Sequence, residues 1–348
     1  LTMKASEEIS EPTIVFKSGE DSISDSSITY ENTNTDTYEW TASYVVSDLD
    51  TSGTVTYSYS ISDLAGNNTT VHNVTTTITI DNILPTITKL STTTTEGSYN
   101  ADNTITIGVT FSKTISVTTT SSGEYPYINL NSGANATAIY DSTLDDSTNN
   151  IIYFNYDVND GDTISILDAE SLSPFDITNT TIIDYIGNEA DLTLTNSNFT
   201  NSLYSTGIEI DTTAPNGPTN WTITSTRSGS DNYFQYASEG DTVTVSLTFD
   251  EKVTISSASF TSNNISVTNA AYGSNWSTSS RSHTVSYEVD SDDTQGVVGF
   301  SITYADEAGN TTTTTDENAD NRSDDSTTTF ETINIDLTAA SLTETFFG

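Results

Sequence analysis

The chain has 348 residues with 49 acidic and 8 basic side chains, so its formal net charge is −41. This charge repels phosphate backbones and anionic membrane surfaces, and no apolar run reaches the roughly 20 residues that cross a bilayer. We therefore expect no nucleic-acid partner and no direct membrane insertion. The chain has no cysteine and two histidines, which excludes disulfides and leaves histidine-based catalysis little to work with.

Short stretches in which apolar residues alternate with Thr or Ser run through the whole chain and predict β-strands. In chain order they are 54–61, 75–80, 104–111, 151–156, 242–249, 285–289 and 297–304. Clusters of Gly, Asn, Asp and Ser separate them, and no stretch has a helical period. The sequence therefore predicts an all-β chain.

A five-residue pattern, Asp-x-x-Gly-Asn, follows one of these strands three times, at residues 63–67, 184–188 and 306–310. The starts are 121 and 122 residues apart (184 − 63 and 306 − 184). Such a fixed period indicates repeated structural units. After each pattern comes another strand that ends in Ile-Asp, and the three aspartates are Asp81, Asp211 and Asp336. The first two run on to a proline, which ends a strand and stiffens the link that follows.

The repeat resembles the bacterial and archaeal Ig-like, cadherin-like tandem repeats of giant cell-surface adhesins and S-layer-type proteins. The resemblance implies an extended array of Greek-key β-sandwich domains, export from the cell, and calcium at the domain junctions. It places domains at residues 1–82, 83–212 and 213–337, with 338–348 as a linker or the first strand of a following domain. The third link departs from the pattern because it lacks the proline.

The strand before the repeat pattern also recurs, and it indicates that the first unit lacks its beginning. Residues 248–253 match residues 110–115, and residues 3–9 fit the same place. Glu7 precedes Asp63 by 56 residues, and Glu251 precedes Asp306 by 55. We therefore expect domain 1–82 to be incomplete at its N-terminus.

Acidic residues recur at the pole of each sandwich that receives the preceding domain. In an Ig-type sandwich, the loop after the second strand and the turn before the last strand share that pole. For the third domain this pole collects Asp211, Asp250, Glu251, Asp306 and Asn310. Calcium takes six to eight oxygen ligands of these kinds, so the set predicts a Ca²⁺ site. The alternative is a plain turn, because Asp and Gly-Asn favour turns without metal.

The other two junction sets are less complete. Between the first and second domains, Asp81, Asp184 and Asn188 are present, but Ser112-Lys113 replaces the acidic pair, and relatives usually carry an acid at the Lys113 position. We therefore expect a weaker, shifted or absent site there. In the first domain, Glu7, Asp63 and Asn67 lack a preceding linker aspartate. Asp336 is the corresponding linker residue after the third domain. We expect the acidic stretches 145–146, 159–162, 290–293 and 316–325 to be solvated loops.

We expect no enzyme activity. The histidines, His72 and His283, lie in alternating stretches where we expect them to face outward, and we expect the tryptophans, Trp40, Trp221 and Trp276, to pack in cores. The favoured function is a calcium-rigidified structural segment of an extracellular surface protein, in an S-layer or filament. An adhesin stalk that projects a ligand-binding domain is the alternative, and a carbohydrate-binding accessory module is a third. Expected partners are copies of the chain or neighbouring repeats, with surface glycans as a further possibility.

Overall fold

The computed structural model describes residues 1–23, 28–34, 38–119, 123–195, 202–227, 235–267, 270–271, 278–316, 333–338 and 341. Within these residues the secondary structure is β-strand apart from a 3-10 turn at Leu203–Thr206. None of the described residues forms a helix long and apolar enough to span a membrane. The predicted all-β, sandwich-type fold is confirmed.

The first part of the chain forms two antiparallel sheets. Its described strands are β1 (Thr2–Lys4), β2 (Thr13–Ser18), β3 (Asp21–Ser22), β4 (Ile28–Asn34), β5 (Glu39–Tyr44), β6 (Gly53–Ser62) and β7 (Asn68–Ile80). One sheet has the order β1-β5-β4 and the other the order β3-β2-β6-β7. Strand β6 leads directly into the first Asp-x-x-Gly-Asn pattern, and β7 ends one residue before Asp81.

The second part forms three sheets. Its described strands are β8 (Ile87–Thr92), β9 (Gly97–Tyr99), β10 (Thr104–Phe111), β11 (Ile115–Thr119), β12 (Tyr127–Asn129), β13 (Thr137–Tyr140), β14 (Ile151–Asp157), β15 (Thr163–Ile164), β16 (Phe175–Asp176), β17 (Thr180–Asp184) and β18 (Ile208–Asp211). The sheet orders are β16-β12-β13-β14-β10-β8, β11-β17 and β15-β18-β9. Pairing of β11 with β17 sets Ile115 opposite Asp184, and so brings the short segment between β10 and β11 to the repeat pattern.

The third part is organised around one long strand. Its described strands are β19 (Asn220–Ser225), β20 (Gln235–Ala237), β21 (Thr242–Ser262), β22 (Ile265–Ser266), β23 (Ala270–Ala271), β24 (Ser280–Glu288), β25 (Gly296–Ala305), β26 (Thr311–Thr315) and β27 (Ile333–Ile335). The first half of β21 pairs with β19 and β24, and its second half pairs with β25. Pairing with β19 ends at Thr248, pairing with β24 shifts its register between Thr248 and Val253, and pairing with β25 begins at Thr254. Asp250 and Glu251 therefore lie in the irregular stretch just before the change of partner.

The buried apolar residues of the described chain form three separate clusters. They fall within residues 14–80, 87–210 and 221–335. In β10, Ile105, Ile107 and Val109 are fully buried, as period-2 alternation with one face toward a core requires. The clusters lie inside the three predicted domain ranges, whose limits stay a prediction.

Trp221 confirms the expectation of core packing: it is 4% exposed and its ring meets that of Phe300 edge-on, with centroids 5.1 Å apart. Trp40 is half-buried in β5, opposite Met3 of β1. Trp276 lies outside the described residues, as do 317–325 of the acidic stretches and most of 338–348. One predicted solvated loop differs: Asp162 is buried and accepts a 2.6 Å hydrogen bond from the Tyr156 hydroxyl.

The prediction of an outward-facing histidine is wrong for His283. His72 is exposed, but His283 is 2% exposed, and its Nε2 lies 2.9 Å from the backbone oxygens of Val253 and Ser280. The physical reason is register. His283 shares a face of β24 with Val285, which is fully buried, so the alternation turns it into the core with its ring edge-on to Phe249.

Replacement of Trp221 by alanine should destabilise the third domain by about 3–5 kcal/mol, because it leaves a cavity beside Phe300. Ile265→Ala, at a side chain 56% exposed in the same domain, should cost no more than about 0.5 kcal/mol. Hydrogen exchange of the β25 amides in the full chain measures both values. Equal costs for the two variants would contradict the core assignment.

Candidate cation site at the domain junctions

The three Asp-x-x-Gly-Asn patterns fold into the same turn. In each, the Asn backbone N–H donates to Oδ1 of the Asp, at 2.8 Å for Asp63 and 2.9 Å for Asp184 and Asp306. The Asn side-chain amide donates to the other carboxylate oxygen, at 2.6, 2.9 and 2.9 Å respectively. The glycines have φ of 91°, 102° and 93°, a region that side chains disfavour, which explains the glycine in the pattern.

At two junctions the asparagine of this turn also donates a hydrogen bond to the preceding domain. The Asn188 side-chain amide donates to the backbone oxygen of Asp81 at 2.9 Å, and that of Asn310 donates to the backbone oxygen of Asp211 at 2.7 Å. Each amide nitrogen therefore uses one N–H inside its turn and one across the junction. We call this pair of hydrogen bonds the Asn latch. The sequence analysis assigned both asparagines as metal ligands, and the latch is a role that it missed.

The linker aspartates share a local role as well. The carboxylate Oδ1 of each accepts the backbone N–H two residues further on, at 3.1 Å for Asp81 and 2.9 Å for Asp211 and Asp336. Such Asx turns redirect the chain at the end of a strand. The signal for this role was in the sequence, since all three Ile-Asp pairs end a strand.

The linkers are fastened to the domains that follow them. The backbone oxygen of Pro85 accepts a hydrogen bond from the Asp191 N–H at 2.9 Å. At the second junction the backbone oxygen of Pro215 accepts one from the Thr312 hydroxyl at 2.7 Å. The Tyr304 hydroxyl donates to the backbone oxygen of Asn216 at 3.1 Å. A short linker with both ends bonded leaves a junction little freedom.

A lysine ammonium lies at the centre of the first junction. Lys113 Nζ is 2.8 Å from Asp81 Oδ2 and 3.3 Å from Asp184 Oδ2, and it also donates to the backbone oxygen of Ile83. Burial disfavours the ammonium, but both carboxylates outweigh it and the pKa of Lys113 is raised. The Lys113 hydrogen bond and the Ile83 N–H lower the pKa of Asp81. For Asp184, burial is outweighed by hydrogen bonds from Asn188, Ile186 and Lys113, so its pKa is also lowered.

The second junction has carboxylates where the first has Lys113. Burial raises the pKa of Glu251, and the nearby charges of Asp306, Asp250 and Asp211 raise it further. Asp306 is 8% exposed, and Asp250 Oδ2 accepts a 3.2 Å hydrogen bond from the Asn216 amide. The ion pairs found among the described residues are those of Lys113 and one between Arg227 and Asp241. The charges of Asp306, Asp250 and Asp211 thus repel that of Glu251.

The donor set of the second junction fits a hard divalent cation by its chemistry. Carboxylate and backbone oxygens from the linker, the strand crossing and the turn lie at one pole, and calcium prefers such oxygens. No three acidic or histidine side chains of the described residues are arranged closely enough to hold an ion. Binding would therefore need Asp250, Glu251 and the linker to move together. The predicted Ca²⁺ site stays a prediction.

The remaining predicted ligands lie apart from such a set. Glu7 and Glu8 are exposed, and the neighbouring Ile9 forms an isolated antiparallel bridge with Asp63. Asp63 has its pKa lowered by the Asn67 side-chain amide and the Asn67 N–H. Asp336 is exposed at the end of β27, and its N–H donates to the backbone oxygen of Ala237 at 2.9 Å.

No protein-family profile and no curated protein matches the chain. Among solved structures, one titled for the host cell surface retention of a 1.5-MDa bacterial ice-binding adhesin is 17% identical, with a TM-score of 0.42, and the match covers 90% of this chain and 87% of that one. A tetra-tandem repeat in the extending region of a large adhesion protein is 12% identical, with a TM-score of 0.25 and coverage of 89% and 67%. Fibronectin(III)-like modules of Clostridium thermocellum CbhA are 12% identical, with a TM-score of 0.23 and coverage of 74% and 99%. At these values the similarities do not assign a function.

Replacement of Asn310 by alanine should destabilise the third domain by about 1–2 kcal/mol, because Asp306 Oδ2 and the Asp211 carbonyl each lose a donor. The matched change Asn67→Ala removes the same turn bond in the first domain and should cost less there, since among the described residues the Asn67 amide donates to Asp63 alone. Hydrogen exchange of the full chain, read domain by domain, measures both losses. A larger loss for Asn67→Ala would contradict the Asn latch.

The two junctions should respond to pH in opposite directions when a chelator is present. The pKa of Glu251 in the folded state lies above its ordinary value of 4.5. Its contribution to the free energy of unfolding is therefore full below pH 4.5 and is lost as the pH rises through the folded pKa. The pKa values of Asp81 and Asp184 in the folded state lie below the ordinary value of 3.8. Their contribution to the free energy of unfolding is therefore present above pH 3.8 and is lost as the pH falls through the folded pKa values.

Glu251→Gln should therefore stabilise the third domain at neutral pH by roughly 0.5–1 kcal/mol, the size of a partly exposed charge interaction, and change it little below pH 4.5. Glu288→Gln, at an exposed position of the same domain, is the control. Urea unfolding followed through the third domain checks both. Destabilisation by Glu251→Gln in chelator would show that its carboxylate is not under repulsion.

Proposed function

We propose that the chain is a non-enzymatic, extracellular segment of tandem Ig-like repeats that serves as a stiff structural element of a larger cell-surface protein. The observation that carries this is the Asn latch at two successive junctions, at 2.9 and 2.7 Å. A pair of hydrogen bonds that holds the linker aspartate of one domain against the next is useful to an array that must keep its domains aligned. A surface enzyme or an isolated binding module has no need of it.

Charge supports an extracellular place for this element. A net charge of −41 spread over strands and loops keeps a long exposed chain hydrated. Interfaces between neighbouring domains of one chain are small and permit movement unless they are reinforced. The bonded linkers at Pro85 and Pro215 supply such reinforcement.

Calcium is the proposed second reinforcement, at the junction of the second and third domains. Asp211, Asp250, Glu251 and Asp306 would hold it, and the ion would supply the positive charge that relieves their repulsion. Extracellular modules bind calcium at roughly 10⁻⁴–10⁻³ M, which suits a weak site that must close around the ion. Folding and binding are then coupled, so calcium should stabilise the third domain.

The surface context is proposed to be an S-layer or filament, and an adhesin stalk is the alternative. A carbohydrate-stacking platform is less favoured because Trp221 is committed to the core beside Phe300. Immunogold labelling of the source cells tests the proposal. A regular surface array supports the first context and isolated projecting fibres support the stalk. Label confined to the cell interior would contradict both.

Calorimetric titration with calcium chloride should show one weak site that is lost in the double variant Asp250→Asn, Glu251→Gln. The control is Glu288→Gln with Asp292→Asn, which removes the same two charges from exposed positions of the same domain and should leave binding unchanged. The turn aspartates are left intact because Asp306 supports its own turn. No heat at millimolar calcium, or equal loss in the control, would contradict the calcium role.

A further inference from the structure

Lys113 and Glu251 occupy equivalent positions in successive domains. Each stands two residues after a core phenylalanine that ends a buried strand segment, Phe111 in one case and Phe249 in the other. Each is followed by residues that pair with the strand leading into the repeat turn: Ile115 is opposite Asp184, and Thr254 is opposite Ala305, the residue before Asp306. The two side chains therefore face the same turn and the same linker in their own domains.

The ammonium of Lys113 makes contacts that a bound ion would make. Its three N–H groups face oxygens of the Asp81 carboxylate at 2.8 and 2.9 Å, Asp184 Oδ2 at 3.3 Å, and the backbone oxygen of Ile83. Asp81 and Ile83 belong to the linker, and Asp184 belongs to the turn of the second domain. The Lys113 side chain is 24% exposed and that of Asp184 is 1% exposed, so solvent screens this contact only in part.

The charge balance of the two junctions differs by 3 units, of which Lys113 against Glu251 accounts for 2 and Ser112 against Asp250 for 1. With Lys113 the first junction sums to −1 from Asp81, Asp184 and the ammonium. The second sums to −4 from the four carboxylates that act on Glu251 or belong to it. Arg281 donates to the backbone oxygen of Asp250, and no carboxylate of this set is ion-paired within the described residues.

We propose that Lys113 is the resident cation of the first junction, which is thereby locked without metal, and that the residue at this position decides whether a junction takes its positive charge from the chain or from a divalent ion. The second half rests on the calcium role proposed above. The first half rests on the ion pairs alone. The consequence is an array with unequal joints, in which removal of divalent ions loosens the second junction and leaves the first closed.

The test follows each junction separately in the full chain. Because the chain has no cysteine, single cysteines at exposed sites can carry spin labels without interference. Labels at Thr69 and Ser142 span the first junction, and labels at Ser142 and Thr284 span the second. The breadth of the distance distribution reports the mobility of each joint. In chelator, the wild-type chain should give a narrow distribution at the first junction and a broad one at the second.

Lys113→Met keeps the length of the side chain and removes its charge. In chelator it should broaden the distribution at the first junction and leave the second unchanged. Lys89→Met removes a lysine from an exposed position of β8 in the same domain and should alter neither. An unchanged first junction in Lys113→Met would overturn the proposal, and so would equal broadening by Lys89→Met.

The reciprocal exchange tests the choice between ammonium and metal. Lys113→Glu should broaden the distance distribution across the first junction in chelator. Addition of calcium chloride should narrow that distribution again, and calorimetry should show one additional calcium site. Glu251→Lys should narrow the distance distribution across the second junction in chelator, and calcium should then no longer change that distribution. If the distribution across the first junction broadens in Lys113→Glu and calcium fails to narrow it, the proposed choice between ammonium and metal is overturned.

The outcome also separates this inference from the calcium role. If wild-type calcium titration leaves the second junction unchanged, the proposed calcium role fails, while Lys113→Met still decides the lock at the first junction. If calcium narrows the distance distribution across the second junction but Lys113→Met does not broaden that across the first, the calcium role stands and the Lys113 proposal falls. Circular dichroism of every variant in the β region confirms that the sandwiches remain folded.

Discussion

The junctions depend on one interaction, the hydrogen bonding of the turn aspartate. A carboxylate as buried as that of Asp184, 1% exposed, is tolerated only when its oxygens are satisfied. Here the backbone N–H groups of Ile186, Gly187 and Asn188 converge on one oxygen and the Asn188 amide holds the other. This fixes the direction of the amide, so its second N–H points at the preceding domain. The junction is thus built from a turn that is already rigid.

Charge then distinguishes the two junctions. The latch bond that crosses the junction joins two neutral groups and is present at both, at 2.9 and 2.7 Å to the backbone oxygen of the preceding aspartate. Lys113 adds attraction at the first junction, whereas Glu251 adds repulsion at the second. A chain with 49 acidic side chains and 8 basic ones can place few such lysines. Under the calcium role proposed above, a position that holds either an ammonium or a carboxylate would give repeats of one design different requirements for cations.

Much of the fold could be predicted from the sequence, because burial of one sheet face imposes an alternation that is visible residue by residue. Residues 104–111 were predicted as a strand and form β10 with the same bounds. The same alternation explains why the prediction for His283 was wrong. Its polarity suggested an exposed side chain, but the register of β24 places it on the buried face beside Phe249. Register depends on pairing with distant strands, which a local pattern does not contain.

The candidate site was predictable in position and less so in chemistry. The spacing of Asp306 and Asp211 pointed to one pole, and the structure joins that turn and linker through Asn310. Sequence reasoning treated asparagine as an oxygen ligand, yet here its amide acts as a donor. Lys113 was interpreted as a defect in a metal site, because only the folded structure shows that its ammonium reaches both Asp81 and Asp184.

The Asn latch is measured most directly by scalar coupling across its hydrogen bond. In a deuterated, isotope-labelled chain, the Nδ2 of Asn310 should couple to the carbonyl carbon of Asp211, and Nδ2 of Asn188 to that of Asp81, both in chelator and in calcium. Couplings at both junctions under both conditions are the result we predict. Their absence at both, with the turn couplings to Asp184 and Asp306 still present, would contradict the account, because the turns would then form without holding the preceding domain.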